Sequence, residues 1–130
     1  MTLEATEAEC AAGRTAPRVS LASMEEKIEQ RFDFVAGDAI EALQERPVVL
    51  PDHPLWRLSV CLLVMQNGFM IIGKSAPASA ANFDPDLGAK LAYEDAIRQL
   101  WPLEGYALRE RLTAGAAPCE AHGPAVARAG

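Results

Sequence analysis

The sequence has little of several features that would each place it in a particular class of protein. Its three cysteines have no C-x-x-C spacing, and it has only two histidines, so neither a disulfide framework nor a zinc site is expected. The longest apolar run, Val60–Met65, is far shorter than the roughly 18–20 residues that span a bilayer. The first residues are acidic, whereas a secretory signal begins with a basic region followed by an apolar segment. We therefore expect a protein of a reducing cytoplasm that does not span a membrane.

An excess of positive charge is also missing. The chain has 18 acidic and 12 basic side chains, which gives a formal net charge of -6. Affinity for nucleic acid comes largely from Lys and Arg that neutralise phosphates. The charge balance therefore predicts no general nucleic-acid binding, although it does not exclude a local basic patch.

The length of 130 residues suits one domain. Half of the residues are hydrophobic, as in a globular protein, but many of these are alanines near the two ends. Residues 1–17 and 113–130 mix small and polar residues without a period, which predicts mobile tails. Between them, residues 18–112 are predicted to form a single α+β domain.

Two short helices are predicted before the central part of this domain. The first is Ser23–Phe32, with a capping box formed by Ser23 and Glu26. The second begins with Asp38 as its cap and runs to about Glu45. Three prolines between residues 47 and 54 predict an extended connector.

The central part of the domain is predicted to be an antiparallel β-hairpin, with strands at about 56–65 and 69–75. Asn67 and Gly68 between them suit a two-residue type I′ turn, which would pair Val64 with Ile71. Both faces of this hairpin are largely apolar, so helices, another strand or a second subunit must cover both sides. On this ground we expect a homo-oligomer.

A longer helix is predicted to complete the domain. Asp84 is a favourable N-cap and Pro85 a favourable first helical residue. The helix should run to about Leu100, with Gly88 marking a close approach to the sheet. Pro102 then predicts a break or kink before a last helical stretch at 103–112. The expected fold is α+β: the hairpin packed by short N-terminal helices and this longer, kinked C-terminal helix.

Several of these segments together resemble a family of short tailed-phage and prophage accessory proteins, the gene-product forty-nine/sixty-six type. The resemblance covers roughly residues 56–112. It is carried by residues 61–69 with their Asn-Gly-Phe turn, Gly73–Ala76, Asn82–Asp84, Gly88, Ala92 and the Trp-Pro-Leu-Glu-Gly-Tyr run at 101–106. It implies a phage or prophage gene product that works in the host cytoplasm, and it carries over no catalytic residue and no activity.

One motif must be rejected. Residues 68–75 satisfy the G-x-x-x-x-G-K-[ST] pattern of a phosphate-binding loop letter for letter. That loop needs curled backbone N–H groups followed directly by a helix. Here the four middle residues read as a hydrophobic strand, Gly68 belongs to the hairpin turn, and Pro77 follows closely. The pattern therefore does not indicate a nucleoside triphosphatase.

Other residues that could carry chemistry have simpler explanations. His53 lies in the connector and His122 in the C-terminal tail, neither with a second ligand at metal-binding spacing. Cys61 is most simply a core strand residue. The carboxylates near the long helix suit capping and a solvated surface; these are Asp84, Asp86, Glu94 and Asp95. We therefore expect no enzymatic activity, no cofactor and no metal.

A small-ligand site remains as a hypothesis. Trp101 and Tyr106 beside arginines could stack a base and hold a phosphate, and hairpin residues could approach them. The candidate ligand-binding residues are Lys74, Ser75, Asn82, Arg98, Trp101, Tyr106 and Arg109. We favour the alternative that the two aromatics brace the helix at Pro102 and that the arginines are solvated.

Three functions remain in competition at this point. The first is a non-enzymatic protein that binds a host protein. The second is a protein that sequesters a small nucleotide-like ligand, such as a host defence signal. The third, a small hydrolase, is the least favoured because the sequence contains no nucleophile–base set.

Overall fold

The computed structural model describes residues 2–11, 17–44 and 50–116. It has an α+β fold, as the sequence predicts. The helices are α1 (Leu3–Ala11), α2 (Leu21–Glu26), α3 (Ala36–Leu43) and α4 (Pro85–Ala116), and the strands are β1 (Ile28–Val35), β2 (Ser59–Met65) and β3 (Met70–Ser75). Short 3-10 helices at Pro54–Arg57 and Ala80–Asn82 precede β2 and α4.

The three strands form one antiparallel sheet in the order β1-β2-β3. The hairpin is present, but its predicted register is wrong by one residue, because Val64 pairs with Met70 rather than Ile71. The turn has three loop residues, since the Met65 N–H bonds to the Phe69 carbonyl and only Gly68 has a positive φ, of 90°. One positive φ suits a type I turn closed by a glycine bulge, whereas type I′ needs two. The slip matters because it places Ile71 beside buried Leu63.

The prediction of a helix over Ser23–Phe32 is wrong in its second half. Helix α2 ends at Glu26 and the chain enters β1 at Ile28. The capping residue is Ser20, whose side chain accepts from the Ser23 N–H at 3.0 Å. Spacing of four residues suggested a helix, but pairing with β2 over most of the strand decides the conformation.

Two further boundaries differ from the prediction. Helix α3 begins at Ala36, without a side-chain cap, instead of beginning after Asp38, and Glu45 lies outside the described residues. Strand β2 begins at Ser59 rather than Trp56, because Trp56 sits in a 3-10 helix. Its indole N–H donates to the Leu50 carbonyl at 2.8 Å, and its ring packs so closely on Gly37 that a Cβ there would lie 2.6 Å away.

Helix α4 covers one face of the sheet. It starts as predicted, with the Asp84 carboxylate accepting from the Asp86 N–H at 3.0 Å, but Pro102 does not end it and the helix continues to Ala116. The close approach expected at Gly88 is confirmed: a Cβ there would collide with the Ser59 hydroxyl. At Gly73 an added Cβ would lie 2.7 Å from the Ala96 nitrogen and would also collide with the α4 backbone.

The core lies between this face and the helices. Its largest fully buried side chains are Met24, Cys61, Leu63 and Ile97. Leu3 of α1 joins the cluster, so part of the segment predicted as an N-terminal tail is helical and packed. Glu7, also in α1, forms an ion pair with Arg18 at 2.9 Å. Residues 117–130, the remainder of the predicted C-terminal tail, lie outside the described residues.

Candidate functional site

The face of the sheet away from α4 is largely apolar and lacks a covering element among the described residues. The strand registers arrange its side chains in three rows. The rows are Gln30–Val64–Met70, Phe32–Leu62–Ile72 and Phe34–Val60–Lys74, and we call these nine residues the open face. Met70 is 70% exposed, Ile72 60% and Phe32 48%. Contiguous exposed apolar side chains of this size are typical of an interaction surface.

Strand β1 is reversed relative to an ordinary amphipathic strand. Its charged Arg31 and Asp33 are paired with Leu63 and Cys61, whose side chains are buried on the α4 side, while Phe32 and Phe34 point to the open face. Burial of aromatic side chains is strongly favourable, so the core would gain from the opposite arrangement. Strand β1 therefore places its aromatic side chains on the open face instead of in the core of the chain.

The charged residues of β1 are held by a network on the α4 side. The Arg31 guanidinium lies 4.1 Å from the Tyr93 ring centroid and its Nε is 2.9 Å from the Asp33 carboxylate. The Tyr93 hydroxyl donates to Glu25 at 3.0 Å. Burial, together with this hydrogen bond, raises the pKa of Tyr93. The network holds the charged side chains of β1 on the α4 side of the sheet, opposite the open face to which Phe32 and Phe34 point.

A groove of about 450 Å³ lies at the end of the sheet that carries the hairpin turn. Its apolar lining includes Met65, Phe69 and Leu103, and its charged rim includes Lys27 and Arg111. Lys27 forms a 2.5 Å ion pair with Glu104 of α4 across this region. This volume falls within the range of small-molecule sites.

The structure divides the seven predicted ligand-binding residues into separate groups. Ser75 and Asn82 both line a cavity of about 180 Å³ between the end of β3 and the start of α4. Lys74 lies on the open face, since its neighbour Gly73 faces α4. The other four residues lie on α4, beyond this cavity, and none of them lines it or the larger groove.

The four helix residues have different surroundings. Trp101 packs against the core cluster, which agrees with the interpretation of it as a bracing residue. Tyr106 is 69% exposed, and its hydrogen bond to Glu110 raises its pKa. Arg98 is half exposed and lies 3.9 Å from Glu94. Arg109 is exposed, about 16 Å along the helix axis from Arg98 by the usual helical rise.

Groups that could act as nucleophiles or metal ligands are engaged in the fold. Burial, with a contribution from the Asp33 carboxylate, raises the pKa of the Cys61 thiol to about 11, which disfavours the reactive thiolate. Asp84 caps α4, and Asp95 accepts from the Lys74 N–H at 3.0 Å. Within residues 2–11, 17–44 and 50–116 no three His, Cys, Asp or Glu side chains come together as metal ligands.

The rejected phosphate-loop pattern is strand in the structure. Met70–Ser75 forms β3, and its backbone is committed to β2 and α4. The apolar faces of the hairpin were predicted, but the contribution of β1 to the open face was missed because β1 was predicted as helix. The signal that could have revealed it is the alternation of Phe32 and Phe34 with charged residues between and beside them.

Comparisons with known proteins give one match. The model of the family described as "Phage protein (N4 Gp49/phage Sf6 gene 66) family" matches residues 19–112, which include the open face and most of α4. No curated protein and no solved structure matches the chain. In the part of the chain that the structure describes, no helix has the length and apolarity needed to cross a membrane.

Proposed function

The chain belongs to the phage protein (N4 Gp49/phage Sf6 gene 66) family, and from this premise we propose that it is a non-enzymatic accessory protein that binds a host protein in the host cytoplasm. The open face is the proposed binding surface. The observation that carries the proposal is the row of Phe32, Leu62 and Ile72, two of which are about half exposed or more.

The composition of the open face supports a protein partner over a charged ligand. It contains no carboxylate and a single basic residue, Lys74, at one corner, whereas the chain as a whole carries a net charge of -6. Depletion of charge around aromatic and aliphatic anchors is typical of the centre of protein interfaces. The expected partner therefore presents an apolar patch of similar breadth.

The proposal of a non-enzymatic protein is supported by the state of two reactive groups. The thiol of Cys61 is buried with a raised pKa, and the Tyr93 hydroxyl is bonded to Glu25. The Cys61 side chain is fully buried, so its sulfur is not accessible to a substrate, and the Tyr93 hydroxyl is engaged by the Glu25 carboxylate. Both instead stabilise the side of the sheet that α4 covers.

Site-specific photo-cross-linking in infected or prophage-bearing cells tests the proposal. A benzoyl-phenylalanine placed at Ile72 should cross-link one discrete host protein, since Ile72 lies in the central row of the open face and is 60% exposed. The same group at Lys90, an exposed position on α4, is the matched control and should give no such product. The captured protein is then purified and its Kd is measured with the full chain.

The binding measurement decides between specific and incidental capture. The Ile72→Lys variant should weaken binding at least tenfold, because it removes apolar contact and leaves a charge in the interface. Lys90→Asp should leave the Kd unchanged. Equal cross-linking from both positions, or an unchanged Kd for Ile72→Lys, would show that the open face is not the binding surface.

The groove beside the hairpin turn favours the second candidate, a protein that sequesters a small nucleotide-like ligand. It combines an aromatic side chain, Phe69, with the basic group of Arg111 and with Lys27, which is paired with the Glu104 carboxylate of the same groove. Native mass spectrometry of untagged protein from infected cells should then show a few hundred daltons of retained ligand per site. Arg111→Ala should abolish that mass. A chain that carries no added mass from such cells would refute sequestration.

A further inference from the structure

The two outer edges of the sheet are treated differently by the fold. On β3, the Asp95 carboxylate accepts from the Lys74 N–H at 3.0 Å, and the Gln99 side chain donates to the Ile72 carbonyl at 2.7 Å. Asp95 and Gln99 also bond to one another at 3.1 Å. Two side chains of α4 therefore occupy the hydrogen-bonding groups to which another strand would pair.

The hydrogen-bonding pattern identifies which groups of β1 face outward. The Lys74 N–H and the Ile72 carbonyl bond to side chains of α4. The backbone groups through which β3 bonds to β2 are therefore those of Ile71 and Gly73. Alternation along the strands then directs the β1 groups of Phe32 and Phe34 toward β2, and the Ala36 N–H donating to the Leu58 carbonyl at 2.8 Å follows the same pattern. The backbone groups of Arg31 and Asp33 consequently point away from the sheet.

These outward groups of β1 have no cap comparable to that on β3 within the described residues. The residues from Glu29 to Phe34 are all exposed. Within residues 2–11, 17–44 and 50–116 the backbone groups of Arg31 and Asp33 form no hydrogen bond to a backbone group outside the sheet. An exposed edge strand of this length is a template for another strand.

The side chains of β1 indicate which strand would pair with this exposed edge. We propose that two copies of the chain join through β1, antiparallel and centred on Phe32, so that their sheets form one six-stranded sheet. In this register Arg31 of each copy lies opposite Asp33 of the other, and the two Phe32 residues face one another. Opposite charges and paired aromatics directly across an antiparallel ladder are both stabilising.

Neighbouring registers are unfavourable for the same reason. Centring the pair on Arg31 would oppose two arginines, and centring it on Asp33 would oppose two aspartates. The Phe32 register also makes Arg31 and Asp33 a hydrogen-bonded pair, as their outward backbone groups require. The regular ladder covers Gln30–Phe34, because a bulge interrupts β1 between Ile28 and Gln30.

This dimer goes beyond the proposed function and does not rest on the identity of any partner. It would place the open faces of two copies side by side, with Phe32 and Phe34 of both copies at the centre. The resulting surface has twice the breadth of the single face. A partner with two-fold symmetry or a repeated segment would fit it.

Charge exchange at the ladder is the first test, with sedimentation velocity of the full chain at micromolar concentrations. The wild-type protein should sediment as a dimer. Asp33→Arg opposes two pairs of arginines, and Arg31→Asp opposes two pairs of aspartates, so each variant should dissociate with a Kd at least tenfold higher. The double variant should recover the dimer, and an equimolar mixture of the two single variants should form a heterodimer, identified by native mass spectrometry.

The controls separate pairing from general charge and folding effects. Asp52→Arg and Lys90→Asp change the net charge equally at exposed positions and should leave the dimer intact. Arg31→Asp also removes the contact with Tyr93, so its circular dichroism is compared with that of the wild type. A monomeric wild type, single variants that dimerise like it, or an unpaired mixture would each overturn the proposal.

Cysteine cross-linking gives a second test that does not change any charge. In a chain with Cys10 and Cys119 replaced by serine, Phe32→Cys should form an inter-chain disulfide under a mild oxidant. Non-hydrogen-bonded antiparallel pairs bring Cα atoms to about 4.5 Å, within the range that a disulfide spans. Ile72→Cys, exposed on the same face, should remain a monomer on a non-reducing gel. Equal cross-linking of the two variants would contradict the register.

Discussion

Both faces of the sheet carry large apolar side chains, but among the described residues only one face is covered by a helix. On the α4 side, large buried side chains such as Leu63 lie beside positions without a side chain such as Gly73. At Gly73 the backbone of α4 comes into contact with the sheet. On the open face the side chains are as large, but no helix or strand within residues 2–11, 17–44 and 50–116 packs over them. The difference shows that hydrophobicity alone does not decide what is covered. Close helix packing needs small residues in matching places, here Gly73 and Gly88 against α4 and β2.

Neighbouring leucines of β2 give the sharpest contrast. Leu63→Ala should lower the free energy of unfolding by about 3 kcal/mol, because it removes a fully buried side chain and leaves a cavity. Leu62→Ala, on the open face, should cost less than about 1 kcal/mol. Urea unfolding of both variants measures this. Equal losses would mean that the open face is covered in the isolated chain.

A glycine pair tests the close packing of the helix. Gly73→Ala should destabilise the fold by about 2 kcal/mol, since its Cβ would collide with the backbone of α4. Gly105→Ala has open space around its Cβ and lies within α4, so it should raise stability by up to about 1 kcal/mol. Thermal unfolding of the two variants would show shifts of opposite sign, and a neutral Gly73→Ala would refute the packing argument.

The covered face should also make stability fall in alkaline solution. The pKa of Cys61 is about 11 in the folded chain and about 8.5 when exposed. Between these values the unfolded chain has lost a proton that the folded chain retains, so stability is full below about pH 8.5 and declines as the pH rises toward 11.

We expect a loss of roughly 2–3 kcal/mol from this thiol by pH 10.5. Tyr93 acts in the same direction, because its pKa is also raised. Urea unfolding at pH 8 and pH 10.5 measures the total. Cys61→Ala, which starts from a lower stability, should show a smaller decline over the same range, and an identical decline would assign the effect to other groups.

The smallest effect is expected on the open face. Ile72→Lys should change the free energy of unfolding by less than about 0.5 kcal/mol. The reason is that the Ile72 side chain is 60% exposed and lies on the edge strand β3. Ile71→Lys, the adjacent and buried position, serves as the comparison and should prevent stable folding. If Ile72→Lys were as damaging as Ile71→Lys, the open face would belong to the core.

The sequence was sufficient for the elements whose determinants are local. Asp84 and Pro85 predict the start of α4 because capping depends on a few adjacent residues, and Gly68 marks the hairpin turn. The register was missed because Asn67 and Gly68 suit two turns of different length. The central hairpin and the C-terminal helix were thus placed, while their exact pairing was not.

The candidate site was harder to predict because it depends on non-local pairing. Phe32 fits a helical stripe with Met24 and Ile28, and only contact with β2, some 30 residues later, makes it part of a sheet. Which face α4 covers is set by Gly73 and Gly88 acting across different elements. Likewise, Ser75 and Asn82 meet in one cavity while Arg98 and Arg109 do not join them, a separation that spacing along the chain does not reveal.

The side-chain caps on β3 have a consequence for how large an assembly can grow. A sheet with two free edges can add copies indefinitely and end as a fibre, whereas one with a single free edge is used up by the first union. Asp95 and Gln99 close one edge, so the proposed pairing through β1 would give a closed dimer with two-fold symmetry. Two polar side chains of α4 thus block further strand pairing at the β3 edge and would limit the assembly to a dimer.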